Sequence, residues 1–254
     1  MKIEDTSMKR RFEGDFEVNS KVGIILPTFC EAENIGRLIL EIENMPLSSS
    51  ILVIDDSSPD GTIDIVRNLQ SRFSNILVLV RSRKGGLGSA ITDGFRIYLN
   101  LRHVPDFILT MDADYSHNPS LVPSLVNSMI DCDLAIGSRY VKGGGTMGWP
   151  SLRKIVSRSA NLFARQVLGL KLHDCTSGFR CYSASFLRQT INCLHSQTYD
   201  IQIETVKQAH SRGYKIVEIP ILFVNRKLGK SKLTIFEIQN YVTYIFNSLM
   251  NRNR

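Results

Sequence analysis

The feature that most constrains this chain is a repeated alternation along its first half. Short apolar runs at Val22–Leu26, Ile51–Ile54, Ile76–Val80, Phe107–Met111 and Leu134–Ile136 are separated by helix-like stretches near 32–45, 61–73, 87–101 and 119–130. The runs are brief and rich in β-branched residues, as expected of parallel strands buried on both faces. Strand and helix in turn predict an α/β chain: a mostly parallel, doubly wound sheet flanked by helices. The chain has 254 residues, 43% of them hydrophobic, which is enough for one such domain with a sizeable core. Sheets of this kind bind ligands beyond the carboxyl ends of their strands. The polar clusters of the sequence fall at those ends: Pro27–Glu31 after the first run, Asp55–Asp60 after the second and Asp112–Ser116 after the fourth.

The remainder is less regular. Residues 1–20 are polar and without period, and read as an N-terminal tail. Gly143, Gly144 and Gly145 mark a loop, helices are predicted over 151–168 and 198–212, and Lys215–Ile219 and Ile221–Val224 read as two short strands around Pro220. A final amphipathic helix is expected over 234–254, with Ile238, Tyr241, Val242, Ile245 and Leu249 on one stripe. The net charge of +7 is concentrated at this end: residues 207–254 hold nine Lys and Arg against two Glu. That balance points to an anionic partner, or to a solvated basic face. The five cysteines form no C-x-x-C pair, so neither a disulfide framework nor a zinc site is expected, and a reducing compartment is. An apolar leader is not visible, nor is an apolar run long enough to span a membrane.

Three groups of residues can carry chemistry. Asp112 and Asp114 follow a strand at a spacing that lets two carboxylates share a hard divalent cation such as Mg2+ or Mn2+. Such a cation neutralises charge on a diphosphate leaving group. Alone, the same pair also reads as a turn before Pro119. Asp55-Asp56-Ser57-Ser58-Pro59-Asp60-Gly61-Thr62 contains a turn and a helix cap, but two acids directly after a strand exceed what a turn requires. Gly85-Gly86-Leu87-Gly88 before a helix reads either as a phosphate-approaching turn or as a flexible loop. Arg139, Arg153, Arg226 and Lys232 are candidates for clamping a phosphate, each with a surface-charge alternative.

Seven collinear segments together resemble a known family. They are Leu26-Pro27-Thr28-Phe29-Cys30-Glu31-Ala32-Glu33-Asn34-Ile35, Val53 through Thr62, Gly86-Leu87-Gly88-Ser89-Ala90, Met111-Asp112-Ala113-Asp114-Tyr115-Ser116-His117, Ile136-Gly137-Ser138-Arg139-Tyr140, Thr176-Ser177-Gly178-Phe179-Arg180, and Arg226 through Leu233. The chain resembles the dolichol-phosphate (polyprenyl-phosphate) mannosyltransferases, within the inverting glycosyltransferase family 2 and its Rossmann-like GT-A fold. The resemblance implies a GT-A domain over 21–233. It implies that Pro27, Phe29, Glu31, Val53 and Asp55 hold the guanosine of GDP-mannose. Asp112 and Asp114 bind the cation and diphosphate, beside the backbone of Ala113, and Ser116 stands at a further metal position. Arg139, Arg153, Ser157 and Arg226 engage the acceptor phosphate or the donor diphosphate, and Lys232 lies on the donor side. Phe29 stands where Tyr is usual and Cys30 where Asn is usual; stacking survives the first change, a hydroxyl contact does not.

The implied reaction is transfer of mannose, with inversion, from GDP-mannose to dolichyl or polyprenyl phosphate. A lipid phosphate is already ionised near pH 7, so a general base is not required, and the protein has to hold two anions together. The expected location is peripheral, on the cytoplasmic face of a membrane, with the 234–254 helix at the interface or a membrane-anchoring partner subunit supplying the attachment. A polyprenyl-phosphate glucosyltransferase using UDP-glucose is the nearest alternative. A nucleotidyltransferase is remoter, since it favours a Gly- and Lys/Arg-rich loop after the first strand. A nucleic-acid-binding module is equally remote, since basic and aromatic residues are not interleaved; nucleic acid is not an expected partner.

Overall fold

The computed structural model describes residues 2–5, 10–15, 17–225 and 243–244. Arg226, Lys232 and, apart from Thr243 and Tyr244, the expected 234–254 helix lie outside the described residues. The elements run β1 (Lys2–Asp5), β2 (Arg10–Glu13), β3 (Val22–Thr28), α1 (Ala32–Glu43), β4 (Ser49–Asp55), α2 (Thr62–Gln70), β5 (Ile76–Val80), α3 (Leu87–Leu99), β6 (Phe107–Thr110), α4 (Val122–Ser128), β7 (Leu134–Ser138), β8 (Gly145–Met147), α5 (Ser151–Leu168), β9 (Arg180–Ser183), α6 (Ala184–Thr190), α7 (Ile201–Ser211), β10 (Ile216–Pro220) and β11 (Leu222–Val224).

Nine strands form one sheet in the order β1-β2-β5-β4-β3-β6-β9-β7-β10. The central block β5-β4-β3-β6 is parallel, while β9 inserts antiparallel between β6 and β7. The five apolar runs of the sequence are β3 to β7, and their side chains alternate between two cores. Ile25, Leu52, Ile54 and Leu77 face one, packed with Phe95 of α3, Phe186 of α6 and Ile203 of α7. Ile24, Leu26, Val53 and Val78 face the other, packed with Leu38 of α1, Val66 of α2 and Leu125 of α4. Burial on both faces is why these strands are continuously apolar. Because β3, β4, β5, β6 and β7 share a direction, the loops after them gather at one edge, and β9, running the other way, brings the 174–179 loop to the same edge.

Several elements correct the sequence reading. The first twenty residues are not simply a tail: Arg10–Glu13 pairs antiparallel with β5 and extends the sheet. Phe12 is buried in the core and Glu13 is buried between Arg11 and Arg67, at 2.9 and 2.8 Å. Phe12→Ala is therefore expected to cost about 3 kcal/mol in urea unfolding; a free arm would show no cost. The Gly143–Gly145 loop runs into β8, which pairs with β11 in a separate two-stranded ribbon. The Gly85–Gly88 turn also has a different purpose. A Cβ on Gly86 would stand 2.4 Å from the carbonyl oxygen of Gln197, and one on Gly88 2.4 Å from that of Ser196. These glycines admit the backbone of 196–198 rather than a phosphate.

Candidate active site

The loop after β4 is laced to the loop after β3. Backbone N–H groups of Cys30, Glu31 and Ala32 donate to Ser58 Oγ, Thr62 Oγ1 and Asp60 Oδ2, at 2.8, 3.0 and 3.1 Å. Ser58, Asp60 and Thr62 thus satisfy the N-terminus of α1 from across the sheet edge. Asp55, expected to meet a nucleoside, is fully buried and closes this lacing: it accepts from Thr28 Oγ1 at 2.8 Å, from Ser58 N at 2.7 Å and from Ser58 Oγ at 2.6 Å. Val53 is packed in the core, so only its backbone is left to meet a donor. Asp56 is held by Arg81, itself buried and bonded to Ser89 and the carbonyl of Gly86. Phe29 carries the Lys84 ammonium 4.9 Å from its ring centre, and Glu31 accepts from Asn34 at 3.0 Å. Pro27, Phe29 and Glu31 therefore lie at and just beyond the carboxyl end of β3, beside the laced pair of loops.

The acidic pair lies after β6. Asp114 is buried, and its Oδ1 accepts from Ser116 N at 3.0 Å and Ser116 Oγ at 2.5 Å. Tyr115 takes φ 59° to make this tight turn. Ser116 is buried and donates its hydroxyl proton to Asp114, a bond that holds that carboxylate in place and leaves the oxygen lone pairs of Ser116 unspent by it. Asp112 is the exposed member, its side chain 32% accessible. Its backbone N–H donates to Nδ1 of His117 at 3.1 Å, which leaves Nε2 to carry the imidazole proton. Burial, opposed by the charges of Asp112 and Asp114, keeps the His117 pKa below its usual value, so the ring is neutral near pH 7.

An aromatic cluster joins this pair to the arginines. His117 stacks on Phe179 at 5.1 Å and meets Phe223 edge-on at 5.3 Å; Phe223 meets Trp149 at 5.2 Å. Arg153, on α5, lies 4.2 Å over Trp149 and donates to Asn225 Oδ1 at 3.2 Å. Arg139, after β7, lies 5.5 Å over Trp149 and 5.7 Å over Phe223. Its guanidinium forms a bidentate pair with buried Asp174, both bonds 2.7 Å, and reaches Thr176 Oγ1 at 2.6 Å. Burial alone would lower the Arg139 pKa, but Asp174 outweighs it and raises it; the charge of Asp112 is felt there as well. Ser157 Oγ accepts from the hydroxyl of Tyr140 at 2.7 Å. Beside these residues opens a cavity of about 420 Å³, walled by Arg139, Tyr140, Arg158, Asn161, Leu162 and Arg165 among others. The structure thus brings Asp112, Asp114, Ser116, Arg139, Arg153 and Ser157 into one neighbourhood. His117, Asp174, Trp149 and Phe223, which build that neighbourhood, carry no signal in the sequence beyond His117 following the acidic pair.

The sequence profile of glycosyl transferase family 2 matches residues 23–201, which include both laced loops, the acidic turn and Arg139. The chain belongs to glycosyl transferase family 2. This glycosyltransferase is 39% identical over 215 residues to the undecaprenyl-phosphate mannosyltransferase of Micrococcus luteus, an alignment covering 84% of this chain and 88% of the relative. It is 37% identical over 214 residues to the polyprenol monophosphomannose synthase of Mycolicibacterium smegmatis, covering 83% and 80%. Among solved structures it resembles glucosyl-3-phosphoglycerate synthase of Mycobacterium tuberculosis, crystallised with Mn2+, UDP and glucosyl-3-phosphoglycerate. The TM-score is 0.63 at 17% identity, over 93% of this chain and 81% of that one. The complex of the same enzyme with Mg2+ and UDP gives a TM-score of 0.62. At this identity the likeness is one of fold, and it places the glycosyltransferase in the GT-A architecture.

The donor atoms suit a hard divalent cation. Among the described residues no three His, Cys, Asp or Glu side chains gather around one point. The glycosyltransferase offers two carboxylates, and the one His beside them has its Nδ1 engaged by the backbone. An all-oxygen pair of this kind fits an ion that takes its remaining ligands from phosphate and water. Among the described residues, no helix is long and apolar enough to cross a membrane.

Proposed function

We propose that this glycosyltransferase transfers mannose from GDP-mannose to a polyprenyl phosphate of the dolichol or undecaprenol type, with inversion at the anomeric carbon. The observation that carries the reading is the facing arrangement of the Asp112–Asp114 turn and the Arg139–Arg153 pair around one aromatic cluster. The two polyprenyl-phosphate mannosyl-transferring relatives, at 37–39% identity over most of the chain, support the substrate classes. Asp112 and Asp114 would hold Mg2+ or Mn2+, which when bound would neutralise charge on the departing diphosphate. Pro27, Phe29 and Glu31 offer the surface for the nucleoside, with Lys84 stacked on Phe29. Arg153 and the Tyr140–Ser157 pair face the incoming lipid phosphate, which attacks without a protein base because it is already ionised. Attack opposite the diphosphate turns an α-linked donor into a β-linked product. Arg226 and Lys232 are proposed to complete the anion-binding side.

The acceptor is amphiphilic, and α5 is suited to meet it at a lipid surface. Leu152, Ile155, Val156 and Leu162 are 72%, 62%, 48% and 52% exposed. They share the helix with Arg153, Lys154 and Arg158, an arrangement that lays an apolar stripe among acyl chains and cations among headgroups. We place the glycosyltransferase, as part of this proposal, peripherally on the cytoplasmic face of a membrane, with the 234–254 segment or a partner subunit as further anchors. The test is direct: purified protein, Mn2+ and phosphorylated polyprenol are incubated with GDP-mannose and, in parallel, UDP-glucose. A hexosyl-lipid mass from GDP-mannose alone is expected. A product from UDP-glucose alone would establish the glucosyl alternative, and no lipid product from either would remove the proposal.

A further inference from the structure

Gln202 lies in the first turn of α7 and is 2% exposed. Both polar atoms of its side chain, Oε1 and Nε2, are shut off from solvent and have no hydrogen-bond partner among the described residues. A buried amide in that state has given up its hydration without compensation. Such groups are rare in folded proteins, and one explanation is a partner that arrives with a ligand. The position of Gln202 supplies that explanation. A Cβ on Gly178 would stand 3.5 Å from Nε2 of Gln202 and 3.5 Å from Oδ1 of Asp112. The His117 ring edge lies 3.8 Å from the same point, and glycine at 178 adds no side chain of its own between the amide and the carboxylate. The backbone on both sides of the gap is fixed. Buried Arg180 donates to the carbonyls of Gln202, Ser177 and Cys175, at 2.6, 2.7 and 2.8 Å. The frame is therefore held by three bonds while the Gln202 amide itself is held by none.

We infer that Gln202 is a positioning residue for Asp112. In the donor-loaded enzyme its Nε2–H donates across Gly178 to Oδ1 of Asp112, fixing the orientation of the more exposed of the two carboxylates. The inference rests on the metal-dependent transfer proposed above, and deepens it by adding a residue outside the acidic turn that sets the turn's geometry. Two variants isolate the contact. Gln202→Met keeps the length of the side chain and removes both unpartnered atoms. Gly178→Ala puts a methyl group in the gap at ordinary contact distance, on a backbone that is not in the left-handed region.

The experiment is a titration of the full chain with Mn2+, followed by electron paramagnetic resonance, with GDP present and in a parallel series with UDP, alongside thermal melts without ligand. Both variants are expected to bind Mn2+ about tenfold more weakly than wild type, the scale of one charge-assisted hydrogen bond. Ligand-free Gln202→Met is expected to melt at or above the wild-type temperature, because it no longer buries an unsatisfied amide. A packing role predicts the reverse, and a lower melt with unchanged Mn2+ binding would overturn the inference. Should Gln202→Met fail to fold, Gln202→Leu is titrated in its place and judged by the same criterion, because the Gly178→Ala methyl also touches Asp112. Wild-type protein that takes up Mn2+ with neither nucleotide would overturn the donor reading itself, and this inference with it. Tight wild-type binding that neither variant alters would overturn the assignment of Gln202 only.

Discussion

Asp112→Asn is expected to lower kcat by about 10³-fold while leaving the fold intact. The substitution keeps the shape of the side chain and removes one of two negative charges. Its folding cost is small because Asp112 is the partly exposed member of the pair, 32% accessible, and because the turn is built by other atoms. The Asp112 backbone N–H on His117 and the Ser116 bonds to Asp114 all survive the change. The corresponding loss at Asp114 would mix chemistry with stability, since that carboxylate organises the turn. Steady-state rates over a Mn2+ series, with a circular-dichroism melt of the same preparation, separate the two effects. A variant within tenfold of wild type and still responsive to Mn2+ would remove the acidic pair from the mechanism.

The second large effect is on stability. Asp174 is fully buried and accepts six hydrogen bonds, three from Arg139, two from the backbone and hydroxyl of Thr176 and one from the backbone of Ser177. Asp174→Ala leaves the Arg139 guanidinium buried without its counter-charge, a change that costs about 3–5 kcal/mol. In a domain of this size that lowers Tm by roughly 10 °C. The double variant Arg139→Met with Asp174→Leu is expected to recover most of the loss, because the penalty lies in the unpaired charge rather than in the missing pair. The effect also depends on pH. Burial by itself would raise the Asp174 pKa, but the charge and hydrogen bonds of Arg139 prevail and hold it below the usual carboxylate value. The stabilisation from Asp174 is thus complete above the unfolded-state pKa, about 4, and is lost as pH falls through the lower folded value. The gap between wild type and Asp174→Ala in urea unfolding is expected to narrow in that acid range. A gap that widens on acidification would contradict the assignment.

Part of this was legible from the residues alone, for a physical reason. Strands buried on both faces have to be apolar throughout, so β3 to β7 and the loops at their carboxyl ends could be located by inspection. The acidic turn and Arg139 sit at those ends. What escaped the sequence depends on distant segments meeting. β9 carries Arg180, a residue that argues against a buried strand until its carbonyl partners on 175, 177 and 202 are seen. β2 reads as polar because Glu13 is neutralised by Arg11 and Arg67, the latter on α2. Asp174 lies in an irregular stretch, and only the approach of Arg139 from the end of β7 gives it a role. The Asp55 carboxylate stands after a strand, where ligand binding is expected, but its bonds to Ser58 and Thr28, which fix it within the laced loops, could not be read from that position.

In the proposed reaction the Asp112–Asp114 turn seats a divalent cation and a nucleoside diphosphate opposite Arg139 and Arg153. The most direct measurement of that seating is an anomalous difference map from crystals grown with Mn2+ and GDP. One strong peak is expected, bonded to the Asp112 and Asp114 carboxylates and to diphosphate oxygens, with the Arg153 guanidinium facing it across the Trp149 cluster. A peak elsewhere on the protein, with the nucleotide ordered and these two carboxylates uninvolved, would contradict it.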